Sequence, residues 1–108
     1  MSLNVLMAEV AEHWVFDDRT YPAMAGLSDA ARRTFALRHI LMHQQKAGGR
    51  LAEACEPVDH GALLDEEKVR VATRNFFINT LRLAGVVGMT AENLAAMVRD
   101  WAQQKHVL

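Results

Sequence analysis

The feature that most constrains the fold is a long stretch of helical sequence between Ser28 and Pro57. Ser28 is a suitable N-cap, and Asp29 places an acid in the first turn, where it complements the helix dipole. Apolar side chains then recur at helical spacing: Phe35, Leu37, Ile40, Leu41, Ala47, Leu51 and Ala54. The pattern predicts one amphipathic helix from about Asp29 to about Cys55, ended by the proline.

Three further helices are predicted on the same grounds. The first has an apolar face at i, i+3, i+4, i+7 and i+11, made of Leu3, Leu6, Met7, Val10 and Trp14. Asp65 can cap a third helix, which runs to about Val86 and is ended by Gly85 or Gly88. Thr90 caps a fourth, with an apolar face of Leu94, Met97, Val98 and Trp101. No segment has the pattern of a strand, so we expect a single all-α domain, residues 1–108, folded as a four-helix bundle.

The second and third helices are predicted to form an antiparallel central hairpin, because the link between them is short. If Glu56 lies near Asp65, each step back along one helix matches a step forward along the other. This register is good to about one helical turn. It gathers a polar set at the centre of the hairpin: His43, Arg50, Asn75 and Asn79.

Composition excludes several classes of function. The formal net charge is −1 and the basic residues are scattered, so no positive face for nucleic acid is expected. A single cysteine, Cys55, excludes an internal disulfide and a multi-cysteine metal site. The first segment has acids within its apolar pattern and no basic start, which is unlike a signal peptide or a membrane span. We therefore expect a cytoplasmic protein without a membrane partner.

The order of motifs resembles that of a known family. The first helix closes with AEHW, a DDRTYP loop follows, the long helix carries KAGGRLAEA, and NFFINTLRLAGVVGMTAENLAAMV precedes a last tryptophan. The strings GRLAEA and INTLRLAGVVGMTAENL are similar to those of the MazG-like all-α nucleoside triphosphate pyrophosphohydrolases. The resemblance covers most of the chain. It implies a bundle of the MazG type that assembles as a homodimer or a higher homo-oligomer.

Members of that family carry E-x-x-E on helix 2 and E-x-x-D on helix 3, whose carboxylates bind the Mg²⁺ that holds the triphosphate and activates water. Aligned on GRLAEA, the first motif falls on Ala47 and Arg50. Aligned on NTLRLA, the second falls on Ala72 and Asn75. None of the four is an acid. Because Mg²⁺ requires hard oxygen ligands, we expect no metal, no cofactor and no catalytic residue at this place.

The same positions suggest an anion site instead. Arg50 and Lys46 can hold a phosphate directly, since arginine offers a planar fork of donors and lysine a point charge. The candidate ligand-binding residues are His43, Lys46, Arg50, Asn75 and Asn79. The expected function is non-hydrolytic binding of a nucleotide or phosphate. Alternatively, Arg50 forms an ion pair with Glu53 or with an acid of a second chain, and the protein is a structural interaction module or a helical adaptor.

A displaced metal site is the alternative from a different class. Acids lie one turn beyond the family position and at the start of the third helix: Glu53, Glu56, Glu66 and Glu67. Together they could bind Mg²⁺ and support an active nucleoside triphosphate pyrophosphohydrolase. Against this, acids at a helix start are explained by the helix dipole alone.

Other polar residues have simpler interpretations. His39 and His43 are spaced i, i+4, which can hold zinc, but no third ligand accompanies them and hydrogen-bonded histidines are favoured. His43 and Asn79 are predicted to form a polar pair that fixes the hairpin register. Cys55 is interpreted as a packing residue.

The apolar residues of the third helix point to association with another chain. Phe76 and Phe77 are consecutive and cannot share a helix face, and Ile78 follows them, so the third helix is apolar on more than one side. This favours a homo-oligomer.

Gly48 and Gly49 each cost roughly 1 kcal/mol against alanine inside a helix, and they could permit close approach of another helix or a bend.

Overall fold

The computed structural model describes residues 1–107. Four α-helices follow in order: α1 (Leu3–His13), α2 (Asp29–Asp59), α3 (Glu66–Val86) and α4 (Ala91–Val107), with a short 3₁₀ helix (Pro22–Met24) between α1 and α2. The described part of the chain contains no strand. The all-α class and the four helices are therefore confirmed.

The predicted caps explain where three of the helices begin. The side-chain oxygens of Ser28, Asp65 and Thr90 each accept a hydrogen bond from the backbone N–H three residues further on, at 3.1–3.2 Å. In addition, Asn93 Oδ1 accepts a hydrogen bond from the backbone N–H of Thr90 at 2.9 Å. Each cap satisfies a donor that the first turn of a helix leaves without a partner.

The end of α2 differs from the prediction, because the helix continues through Pro57 to Asp59. A proline in the last turn removes only one backbone donor, so it does not by itself end the helix. Gly61 has a φ of +92° and donates its N–H to the carbonyl of Val58 at 3.0 Å, while Ala62 donates to Pro57 at 3.0 Å. These two bonds close the carbonyl end of the helix, so the glycine is its terminator.

The helices α2 and α3 make the most extensive contact in the chain, as an antiparallel hairpin. The side chains buried on the two helices are mostly small: Ala36, Ile40, Ala47, Ala54, Ala72, Asn79, Leu81 and Ala84. Small side chains at a helix interface let the two backbones approach closely. The predicted register holds to within one residue, since Asn79 contacts Gln44.

The remaining helices make smaller contacts than the two helices of the hairpin do. α1 packs on α3 and also touches the start of α4, where Asn4 Nδ2 donates to Glu92 Oε1 at 3.2 Å. α4 turns away from α3 by 113°. The radius of gyration is 17.1 Å, against about 13 Å for a compact domain of this length. A single copy of the chain is therefore elongated.

Within residues 1–107, no single helix is long and apolar enough to cross a membrane. The bent pair of α3 and α4, counted together, meets the length and composition of a membrane span.

The paired glycines lie within an unbroken part of α2. A Cβ built on Gly48 would lie 4.0 Å from Phe76 Cζ, an ordinary contact, and one built on Gly49 would meet nothing within 4 Å. Close approach of helices within the chain therefore requires neither glycine, and nothing in the structure explains Gly49.

Replacing Gly49 by alanine should stabilise the fold by about 0.4–1 kcal/mol, because the backbone is helical there and the methyl group meets no neighbour. Urea unfolding followed by far-UV circular dichroism measures the change. Gly88→Ala is the matched control and should destabilise, because Gly88 has a φ of +75°. A loss of stability in Gly49→Ala would contradict the reading of this helix.

Candidate functional site

A cavity of about 510 Å³ lies between α2, α3 and the loop that follows α1. All five residues singled out from the sequence line it: His43, Lys46, Arg50, Asn75 and Asn79. The opposite wall comes from the end of α1 and its loop, through His13, Trp14, Thr20 and Tyr21. The hairpin thus brings the predicted set together in one place, and the loop adds residues that the sequence did not single out.

The four positions that the resemblance would align with metal ligands are divided between this cavity and the core. Ala47 lines the cavity with 2% of its surface exposed, and Arg50 and Asn75 line it as well. Ala72 is fully buried at 0% and does not reach it. A magnesium ion prefers carboxylate oxygens, whereas these positions offer two methyl groups, one amide and one guanidinium. This donor set does not fit Mg²⁺.

Among the described residues, none that lines the cavity is an acid. The ion pairs among residues 1–107 are Arg32 with Asp18 and Arg70 with Glu67. The alternative pairing of Arg50 with Glu53 is therefore not formed in the described part of the chain, and Lys46 has no carboxylate partner there either. Lys46 and Arg50 therefore line the cavity without an ion-pair partner among residues 1–107, although Arg50 also borders a groove lined by acids.

The buried amide on α3 has a different partner from the one predicted. Asn79 is 5% exposed, and its Nδ2 donates to Gln44 Oε1 at 2.8 Å. The predicted pairing of Asn79 with His43 is wrong by one residue. One residue rotates a helix position by about 100°, so Gln44 faces α3 while His43 faces the loop.

His43 instead pairs with His39, with 3.2 Å between their Nε2 atoms. One ring must donate and the other accept, so at least one stays neutral in this arrangement. The ring of Trp14 packs against His43, with 5.0 Å between ring centroids, and the ring of Tyr21 packs against His39, with 4.6 Å between centroids. Trp14 Nε1 also donates to Tyr21 Oη at 2.8 Å. These contacts hold the loop against α2 and make it a wall of the cavity.

The same loop is tied to α3 by Arg82. Its Nε donates to the carbonyl of Trp14 at 2.7 Å, and its guanidinium lies 5.0 Å from the ring centre of Phe16. Burial lowers the pKa of this guanidinium. The sequence analysis did not single out Tyr21, which lines the cavity, or Arg82, which holds the loop beside it. It considered His39 only as half of a zinc pair. The available signal was three aromatic residues, at positions 14, 16 and 21, in and beside a loop.

Burial lowers the pKa of both histidines of the pair. For His43 the nearby His39 and Lys46 lower it further, and for His39 the second cause is Lys46. Both imidazoles are therefore neutral at neutral pH. The positive charge of the cavity comes from Lys46 and Arg50, while His43 offers a neutral ring nitrogen.

A smaller groove of about 350 Å³ lies near the loop end of the hairpin. It is where the displaced acidic site would stand, built from Glu53, Glu56, Glu66 and Glu67. Two of these acids, Glu53 and Glu67, line the groove together with Asp65. Arg50 and Lys68 line it too, which offsets the negative charge. Among residues 1–107, no three His, Cys, Asp or Glu side chains are grouped so that they could hold a metal ion.

The chain matches no protein-family model, no curated protein and no solved structure. What the fold and the site define is a class: an all-α protein whose central hairpin carries a cavity lined by two basic side chains, two amides and two aromatic rings. The chemistry of that cavity is the basis for assigning a function.

The free energy of unfolding should fall as the pH drops below 6.5, the ordinary value for histidine. Below pH 6.5 the histidines of the unfolded chain bind protons, whereas the folded His39 and His43 bind them only at lower pH. The contribution of the two neutral histidines to stability is therefore complete above pH 6.5 and is lost progressively below it. Urea unfolding across a pH series measures the slope, and NMR titration gives both pKa values. The His39→Gln, His43→Gln double variant should flatten the slope. A pKa above 6.5 for either ring would contradict this account.

Proposed function

We propose that this chain is a degenerate, MazG-like helical protein that binds a nucleotide or another phosphate ligand without hydrolysing it. The observation that carries the proposal is the acid-free cavity in which Lys46 and Arg50 lie on one turn of α2. In this proposal the two cations take the place of the lost metal, the fold is a bundle of the MazG type, and the protein acts in the cytoplasm.

The chemistry of the cavity supports a phosphate ligand. Arg50 can bind two phosphate oxygens through its planar fork, and Lys46 adds a mobile point charge. Across the cavity, Asn75 and Asn79 supply amide groups from α3. Charge-assisted hydrogen bonds of this kind are the stronger class in proteins.

The aromatic wall supports a nucleotide over a bare phosphate. Trp14 and Tyr21 line the same cavity as the two cations, and Tyr21 stacks on Phe16 with ring centroids 5.2 Å apart. An aromatic face can stack a planar base while the charged side holds the phosphates, and base stacking is sequence-tolerant. His43 lies between these two regions and can accept or donate one hydrogen bond.

The absence of hydrolysis is proposed from the donor set. Activating water for attack on a phosphate needs a metal or a well-placed base, and the MazG-type metal positions here carry Ala47, Arg50, Ala72 and Asn75. A guanidinium at that place repels a divalent cation. The ligand would therefore be held and not cleaved.

The alternative is a Mg²⁺-dependent nucleoside triphosphate pyrophosphohydrolase with a displaced site. Its support is that Glu53 and Glu67 share a groove with Asp65 next to Arg50. The site would need Glu56, Glu66 or an acid of a second chain to complete a set of ligands.

Inorganic triphosphate and ATP should bind the wild-type protein, as measured by isothermal titration calorimetry. Arg50→Gln should weaken binding by roughly tenfold to a hundredfold, because a hydrogen bond to a charged group contributes about 1.5–3 kcal/mol. Arg99→Gln is the matched control, since Arg99 is exposed on α4 and does not line the cavity. Equal affinity of wild type and Arg50→Gln would exclude the cavity, and no binding at all would favour a pure interaction module.

Pyrophosphate release from nucleoside triphosphates in the presence of Mg²⁺ should stay at the background rate of a protein-free control. The reason is the missing carboxylate set. Sustained turnover that disappears in Glu53→Ala and in Glu67→Ala, while Glu9→Ala remains active, would establish the displaced site and overturn the non-hydrolytic proposal.

A further inference from the structure

The cavity lined by Lys46 and Arg50, the hairpin cavity, has a neighbour between α1 and α3. This α1–α3 groove has a volume of about 430 Å³. His13, Trp14 and Ile78 line both spaces, so the two adjoin at these residues. The volume of the groove lies within the range of roughly 300–1,000 Å³ that is ordinary for ligand sites. A ligand in the hairpin cavity therefore has space next to it for a further group.

The α1–α3 groove is mainly apolar, unlike the hairpin cavity. Leu6 and Val10 line it from α1, and Phe77 and Leu81 line it from α3. Leu81 is buried, whereas Phe77 is 49% exposed. An apolar group placed in the groove would remove apolar surface from water, which is the usual source of apolar binding. The groove thus fits an aliphatic chain or a ring.

The groove is open because α1 packs loosely on α3. Every residue of α1, all of them within the described part of the chain, retains more exposure than a core residue does. Helices α2 and α3, in contrast, bury several side chains completely against each other. Burial of apolar surface therefore remains to be gained at the contact between α1 and α3, and a ligand can supply it.

The charged residues around the two spaces give a bound ligand a direction. Lys46 and Arg50 line the hairpin cavity and not the groove, whereas Glu9 lines the groove and not the cavity. Arg74 lines the groove, but its Nε and Nη2 donate to Asn75 Oδ1 at 3.2 and 3.1 Å, and Asn75 lines the hairpin cavity. An anion is attracted to the hairpin cavity and repelled by the carboxylate of the groove. The uncharged end of a ligand is left for the groove.

We propose that the ligand is a phosphate ester with an apolar organic group. The phosphate lies against Lys46 and Arg50, and the apolar group lies in the α1–α3 groove beside Phe77. Trp14, which lines both spaces, contacts the part of the ligand that joins the two ends. This inference rests on the proposed function, and it narrows the ligand from any phosphate compound to an amphiphilic one. A nucleotide meets the description when it carries an apolar substituent.

A soluble ester fits the groove better than a phospholipid within a membrane does. α1 borders the groove and carries Glu9 and Glu12, with neither lysine nor arginine between Leu3 and His13. An anionic bilayer attracts basic segments and repels acidic ones. The helix next to the groove is therefore unsuited to lie on such a surface.

Methyl phosphate and hexyl phosphate test the inference, because they present the same anion with aliphatic chains of different length. NMR titration of the backbone amides of the full chain measures both affinities. Hexyl phosphate should bind about tenfold more tightly or better, since each buried methylene group contributes about fourfold. Arg50→Gln should weaken the binding of both esters.

Phe77→Ser should weaken hexyl phosphate by roughly fivefold or more and leave methyl phosphate unchanged, because Phe77 lines the groove and not the hairpin cavity. Leu83→Ser is the matched control on the same helix. Leu83 is 41% exposed, lines neither space and should leave both affinities unchanged. Leu6→Ser tests the groove from the side of α1, and far-UV circular dichroism checks the folding of each variant.

Several results would overturn the inference. Equal affinities of the wild type for the two esters would do so, and the proposed function would still stand if Arg50→Gln weakens the binding of inorganic triphosphate. Hexyl phosphate binding that Arg50→Gln does not weaken would contradict the proposed function as well. Binding to vesicles that contain phosphatidic acid, lost in Phe77→Ser, would assign the groove to a lipid surface. Self-association of the wild type that is lost in Phe77→Ser would assign it to a second copy of the chain.

Discussion

The close packing of α2 against α3 is the constraint on which the other features depend. Alanines at positions 36, 47, 54, 72 and 84 are buried on the two helices and let the backbones approach. This contact sets the register in which Asn79 reaches Gln44. The same register places the cations of α2 beside the amides of α3. The cavity is therefore a consequence of how the hairpin packs, and substituting a larger residue at Ala47 or Ala72 would disturb both together.

Charge determines what this cavity can hold. Arg50 and Lys46 form no ion pair among the described residues. The neighbouring histidines are neutral because burial lowers their pKa. These two cations support the proposal of an anionic ligand, and Trp14 and Tyr21 in the lining support a planar group attached to it.

Local chemistry made most of the fold predictable. Helix starts followed from Ser28, Asp65 and Thr90, because a cap is an interaction between residues three apart. The end of α2 was mispredicted, because the helix continues through Pro57 and ends at the turn that contains Gly61, whose φ is positive. The partner of Asn79 was missed by one residue, because a register estimated from a loop is good only to about a turn, and a single residue changes which face a side chain presents.

The sequence alone determined the helices, their order and the hairpin, since these follow from periodicity, caps and the short link between the second and third helices. Only the tertiary structure decided that Ala72 is buried while Arg50 opens into a cavity. It also decided that the loop carrying Tyr21 returns to close over His39, and that α4 points away with Trp101 uncovered. The physical reason is the range of the interactions. Helix caps and apolar periodicity involve residues a few positions apart, whereas the packing of a loop and the direction of a helix depend on contacts between distant parts of the chain.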